Sequence, residues 1–139
     1  MLTIGKLAAI AHVTPDTLRY YEREGLIDPS GKSAGGYRLY GDDDLARLHF
    51  IRQAQECGFT LVEIRTLLSL RSRETACCGE VRALAEEKNR QLAARVKTMR
   101  AMTRTLDRLI AACDDTARPV GQCPILSAFN GTGTKRATR

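Results

Sequence analysis

The sequence predicts a mainly α-helical chain: an N-terminal winged helix-turn-helix, one long helix, then a loop with a short helix. Three observations carry this expectation. Apolar residues recur at helical spacing along most of the chain. Threonines at positions 3, 14 and 60 stand where N-caps belong, directly ahead of such runs. The stretch from Glu80 to Ala112 contains neither proline nor glycine.

Taken in order, Thr3 caps a first helix whose apolar positions are Ile4, Leu7, Ala8 and Ala11. His12-Val13-Thr14 breaks that pattern. Thr14 then reads as an N-cap with Pro15 at the first helical position, a favoured start, and the helix runs through Glu24 to Gly25. Two short helices joined by so brief a turn make a helix-turn-helix, whose second helix is the usual reader of a DNA major groove. Any small helical protein can contain such a pair, so the motif alone leaves DNA binding open. The next segment narrows the choice. Residues 29–36 are turn-rich, Tyr37-Arg38-Leu39-Tyr40 is a short strand, and Leu26-Ile27 is expected to pair with it as a two-stranded wing. Lys32, Tyr37 and Arg38 on that wing can bond phosphates, and its glycines let a nucleic-acid backbone approach. A third helix runs from Asp42 through Leu45, Leu48, Ile51 and Arg52 to Glu56 or Cys57. A fourth opens on a capping box, Thr60 with Glu63, and carries Leu61, Ile64, Leu67 and Leu68. Cys57 is expected to be a buried small hydrophobe, and His12 and His49 to be structural or solvated.

The long helix is expected from about Gly79 or Glu80 to Cys113. Leu92, Val96, Met99, Met102, Leu106, Leu109 and Cys113 recur at coiled-coil spacing, and a small domain cannot cover a stripe of that length. A symmetry mate is the economical partner. The cysteines sharpen this. Cys77-Cys78 lies before the helix and Cys113 and Cys123 after it, and a helical rise of about 1.5 Å per residue holds the two groups roughly 50 Å apart. No metal ion spans that gap with bonds of about 2.3 Å. In an antiparallel pair of subunits, Cys78 of one chain meets Cys113 and Cys123 of the other. A parallel pair with unrelated cysteines is the alternative, since heptad spacing does not set polarity.

Composition bounds the chemistry. A chain of 139 residues has little room for a deep catalytic cleft. No base is placed beside a cysteine, so an enzyme is not expected. The net charge of +6 favours polyanions weakly. No run of apolar residues reaches the roughly 18 that span a membrane. The start, MLTIGKLAAIA, is too short and too polar for a signal peptide. A cytoplasmic location is therefore expected, with no membrane partner. Thiols stay reduced there, and five cysteines point to metal or redox chemistry rather than disulfides.

The runs Thr3-Ile4-Gly5-Lys6-Leu7-Ala8, Thr14-Pro15-Asp16-Thr17-Leu18-Arg19-Tyr20-Tyr21-Glu22, Gly36-Tyr37-Arg38-Leu39-Tyr40 and Gly58-Phe59-Thr60-Leu61-Val62-Glu63-Ile64 resemble the MerR family of bacterial transcription regulators. The resemblance extends to about Phe129 and is nearest to the metal-sensing branch, the regulators of zinc, cadmium or lead efflux. It implies a homodimer on double-stranded promoter DNA. Such a dimer holds a divalent thiophilic ion (Zn2+, Cd2+ or Pb2+) between its subunits and activates transcription of metal-resistance genes. The mechanism it implies is distortion of the bound DNA, which realigns promoter elements for RNA polymerase.

By residue, the resemblance implies Cys78, Cys113 and Cys123 as ligands; beside them, Cys77 is a candidate fourth sulfur, and Asp114 or Asp115 a candidate oxygen donor. It puts Thr17, Arg19 and Tyr20 at the groove or its phosphates, and Tyr37 and Arg38 on the backbone from the wing. Either Tyr20 or Tyr21 can instead be a core residue. Three thiolates suit trigonal lead or mercury, whereas a fourth donor completes the tetrahedron of zinc and cadmium. Zinc-specific members of the branch carry a second cysteine and a histidine in the loop; here those positions hold Asp114 and Arg118. Copper(I) sensors have a shorter loop than the residues 114–122 found here. The division that follows is residues 1–72 for DNA binding, 73–112 for the dimerisation helix, 113–130 for the metal-binding loop and short helix, and 131–139 for a disordered tail. A mercury-responsive regulator and a thiol redox sensor on the same scaffold are the alternative functions.

Overall fold

In the computed structural model, residues 1–131 are described; apart from Gly131, the expected tail lies outside the described residues. The chain forms two compact units that divide between Lys88 and Asn89.

The first unit is the winged helix-turn-helix with two supporting helices. A two-residue strand, β1 (Leu2–Thr3), leads directly into α1 (Ile4–Ala11), where the Thr3 hydroxyl accepts the Lys6 amide. His12 turns the chain in the left-handed region at φ 59°, and the Val13 amide bonds back to the Ala8 carbonyl. α2 (Pro15–Arg23) starts on the expected Thr14 cap, whose hydroxyl accepts the Thr17 amide at 3.1 Å. It closes in a Schellman motif: Gly25 at φ 76° donates to the Glu22 carbonyl and Leu26 to the Tyr21 carbonyl. Only glycine adopts that φ at little cost. Arg47 Nε and Arg65 Nη2 donate to the Leu26 and Glu24 carbonyls, so side chains of the two supporting helices hold the end of α2.

The wing corrects one expectation. The strand after the turn, β3 (Arg38–Tyr40), is the centre of a three-stranded antiparallel sheet in the order β1-β3-β2. Its partners are β1, with Leu2 opposite Tyr40, and β2 (Gly31–Lys32), with Lys32 opposite Arg38. Leu26 and Ile27 do not pair with it; both are fully buried. Their apolar side chains gain more from the core than an edge strand offers, and the Schellman turn points Leu26 inward.

α3 (Asp42–Glu56) and α4 (Leu61–Ser72) lie close to the expected bounds, and the Thr60–Glu63 capping box is present in both directions. The Thr60 N–H, then the Lys88 ammonium, holds the Glu63 carboxyl below the usual carboxylate range. The core gathers Leu7, Leu18, Leu26, Tyr40, Leu48, Ile51 and Ile64. Leu48 has no exposed surface. Leu48→Ala is expected to destabilise this unit by about 2–5 kcal/mol, read as a lower urea midpoint at unchanged slope.

One further helix, α5 (Cys78–Ala112), begins in the first unit and runs into the second. Lys88 on its first half is almost fully buried, 2.9 Å from Glu63 and with its ammonium 5.9 Å from the centre of the Phe59 ring. In the second unit its apolar stripe is uncovered: Val96 is 45% exposed, Met99 59%, Met102 58% and Leu106 48%. A 3-10 turn (Val120–Gln122) and α6 (Pro124–Phe129) follow, with Cys123 at the N-cap of α6 and Pro124 at its first position. Among the described residues no helix is long and apolar enough to cross a membrane.

Candidate nucleic-acid interface and metal centre

On α2 the helical period splits the side chains. Leu18 and Tyr21 enter the core, where the Tyr21 hydroxyl donates to Gln55 Oε1 at 2.9 Å. Thr17 is half-buried, its hydroxyl 2.9 Å from that of Thr14, while Arg19, Tyr20 and Arg23 stand outward. The two-way choice between the tyrosines is thereby decided: Tyr21 is core and Tyr20 surface. At the wing, a turn through Gly36 (φ 85°) donates to the Ser33 carbonyl and sets Tyr37 outward, 72% exposed.

The structure brings most of the expected DNA-facing residues together. A cleft of about 280 Å³ is lined by Thr3, Ile4, Arg19, Gly36, Tyr37 and Arg38. Beside it, a hollow of about 310 Å³ is lined by Arg19, Glu22, Arg23 and Arg38. Three guanidinium groups therefore share one face. Arg23, which the sequence reading did not single out, lies over the Tyr20 ring with Cζ 5.7 Å from its centre. Its spacing of four from Arg19 on one helix was the available signal.

The charges suit a polyanion. Lys32 and Arg38 are direct cross-strand partners, a like-charge pairing that costs stability and that Glu22, 2.8 Å from Arg38, offsets only at the Arg38 end. Arg19 pairs with Asp16 at 2.7 Å, but both are exposed, and such surface pairs are worth at most about 1 kcal/mol. A phosphate competes easily for that guanidinium.

The cysteines occupy helix ends. Cys77 precedes α5, its amide bonded to Glu80 Oε2 at 3.0 Å, and Cys78 is the first residue of the helix. Cys113 directly follows the last residue of α5 and is half-buried; so is Cys123. All five cysteines are free thiols. Among the described residues, no three His, Cys, Asp or Glu side chains stand together to hold a metal ion within one chain. Asp114 is ion-paired with Arg118 at 2.7 Å, and Asp115 Oδ1 accepts the Ala117 amide.

Cys57 is exposed rather than buried, which corrects the sequence reading. The chain reverses at Gly58 (φ 93°), the Phe59 amide bonds back to Ala54, and Phe59 takes the place against the core. Cys57 remains on the outer side of α3 beside His49 and Gln53. His12 and His49 are both exposed.

A helix-turn-helix whose second helix shares a cationic face with a β-wing defines the winged helix-turn-helix class of DNA-binding transcription regulators. Family comparisons agree and go further. The model for the MerR HTH family regulatory protein matches residues 2–70, and that for MerR, DNA binding, matches residues 45–109. The chain belongs to the MerR family of transcription regulators, which are not enzymes. It is 43% identical over 130 residues to the HTH-type transcriptional regulator ZntR of Escherichia coli (strain K12), covering 93% of this chain and 92% of that protein. It is 35% identical over 132 residues to the heavy metal-dependent transcription regulator 2 of Rhizobium meliloti (strain 1021), covering 94% and 88%. Among solved structures it is similar to the transcription regulator PbrR691 from Ralstonia metallidurans CH34 in complex with lead(II), with a TM-score of 0.80 and 41% identity over 93% of this chain and 99% of that one.

Proposed function

We propose that this chain is a metal-responsive transcription activator that works in the cytoplasm as a homodimer on promoter DNA and controls heavy-metal resistance genes. The observation that carries the reading is the cysteine frame of α5, with Cys78 as its first residue and Cys113 just past its last. The uncovered stripe from Val96 to Leu106 supports a self-partner for that helix. In an antiparallel dimer, Cys78 of one subunit lies beside Cys113 and Cys123 of the other.

The donor set fits a thiophilic ion: three free, partly accessible thiols that ionise to soft ligands. Cys77, next to Cys78 and ahead of the helix, is the nearest further sulfur. Asp114 donates an oxygen only by leaving Arg118. When bound, the ion cross-links the two subunits. The chain's own residues do the rest. Thr17, Arg19 and Tyr20 on α2, with Tyr37 and Arg38 on the wing, hold the duplex, and α5 ties the two DNA-binding units together. Switching requires that the metal-bound dimer hold distorted DNA more favourably than the free dimer does. RNA polymerase then uses the realigned promoter. The functional division into residues 1–72, 73–112 and 113–130 is part of this reading.

The lead(II) complex of a structural neighbour and the heavy metal-dependent name of a relative favour a heavy-metal ion, and zinc, cadmium and lead are the ions to test. Competition titration of the reduced protein with each ion, beside a reporter driven by the promoter it controls, tests the proposal. The expected result is affinity tighter than micromolar for at least one ion, with induction by that ion. Affinities weaker than micromolar for all three, together with a transcriptional response to peroxide, would establish the redox-sensor alternative instead.

A further inference from the structure

We propose that Glu22 is a positioning residue for DNA binding: it fastens the wing to the recognition helix and presents the Arg38 guanidinium to a phosphate. The proposal rests on the reading that Arg38 contacts the DNA backbone.

The geometry is specific. Arg38 and Tyr40 flank Leu39 in β3, so the strand's period of two puts both side chains on one face. Both reach the same carboxylate. The Tyr40 hydroxyl donates to Glu22 Oε2, and Arg38 Nη1 stands 2.8 Å from Oε1. Glu22 sits in the last turn of α2 with a side chain only 10% exposed, whereas that of Arg38 is 45% exposed. One end of the bridge is thus buried and the other open.

Two details fit positioning better than simple charge neutralisation. Burial, then the hydrogen bond to Glu22, pushes the Tyr40 phenol far above its ordinary value, so its hydroxyl remains a donor at any physiological pH. Glu22 Oε1 has no aligned hydrogen bond despite its closeness to Arg38. A guanidinium carries five N–H donors, so with Nη1 held beside Oε1 others remain for a phosphate to accept. Exposed surface pairs such as Arg19–Asp16 lack this second, buried anchor.

The proposal opposes the naive electrostatic expectation. Removing a negative charge beside a phosphate-binding face should tighten DNA binding. The carboxylate is nearly buried and already paired with Arg38 at 2.8 Å, however, so what E22Q chiefly removes is the contact that holds the guanidinium in place. Loss of the anchor should outweigh loss of the repulsion.

The test compares wild type, E22Q, R38A and E22Q/R38A on a labelled duplex selected by the wild-type protein from a randomised pool, over a range of salt. E22Q is expected to bind about tenfold more weakly, with the slope of log affinity against log salt reduced by about 1.8, one phosphate contact from each of the two subunits. The double variant should bind within about twofold of R38A, because Glu22 acts through Arg38. E22Q binding as tightly as wild type, or E22Q and R38A losses that add, overturns the positioning role. R38A binding like wild type overturns the phosphate contact beneath it. Thermal melts confirm folding; if E22Q melts below the assay temperature, E22D, which keeps the charge on a shorter arm, replaces it under the same criteria.

Discussion

Replacing Cys78 with serine is expected to abolish metal-dependent induction and to weaken metal binding by about 100-fold or more, since even outer-shell changes at metal sites cost 10–100-fold. Cys113→Ser and Cys123→Ser should do the same, and Cys77→Ser should only weaken the response or alter its selectivity. DNA binding without metal should survive in all four, because the cysteines lie outside the face formed by Arg19, Arg23, Tyr37 and Arg38. A mixed dimer separates a shared site from one within a chain. One subunit carries Cys78→Ser, and the other carries Cys113→Ser with Cys123→Ser. If ligands come from both subunits, this dimer keeps one complete site and regains about half of the wild-type metal stoichiometry. If each chain holds its own ion, it keeps none. Full induction by Cys78→Ser alone would sink the shared-site reading.

A double substitution in the exposed stripe, Val96→Glu with Met99→Glu, should convert the protein to a monomer and lower its affinity for its operator by about 1,000-fold or more, towards non-specific binding. The reason is geometric: in the proposed dimer a two-fold operator is held by two linked heads, and a single head would lose the second half-site altogether. Both side chains are about half exposed in the single chain, so the fold of the DNA-binding unit should be unaffected. Sedimentation equilibrium and gel shift read the two effects, with circular dichroism as the check on helicity. A variant that remains dimeric would move the interface elsewhere.

Local chemistry was legible where it is self-contained. The Thr14-Pro15 start of α2, the Thr60–Glu63 capping box and the breaker-free run from Glu80 to Ala112 each act within a few residues, and each appears as expected. The wing was misread because strand pairing is a choice among distant segments. Leu26-Ile27 has the apolar character of a strand, yet Gly31–Lys32 and Leu2–Thr3 take the hydrogen bonds. Cys57 was misread for a similar reason, since Gly58 turns Phe59 to the core in its place. Arg23 had a sequence signal in its spacing from Arg19. Nothing local announced the Glu63–Lys88 pair or the Glu22 bridge to β3, whose partners lie far apart in the chain.

By itself, then, the sequence determined the helices, their caps, the uncovered stripe and the placing of cysteines at the two ends of α5. Those follow from propensity, hydrogen bonding and periodicity over short spans, where few alternatives compete. Only the tertiary structure decided which strands build the wing, which tyrosine of α2 is core, and how Glu22 joins Arg38 and Tyr40. Those outcomes depend on which distant groups share a buried volume, and burial rewards the arrangement that covers the most apolar surface while leaving each buried charge a partner.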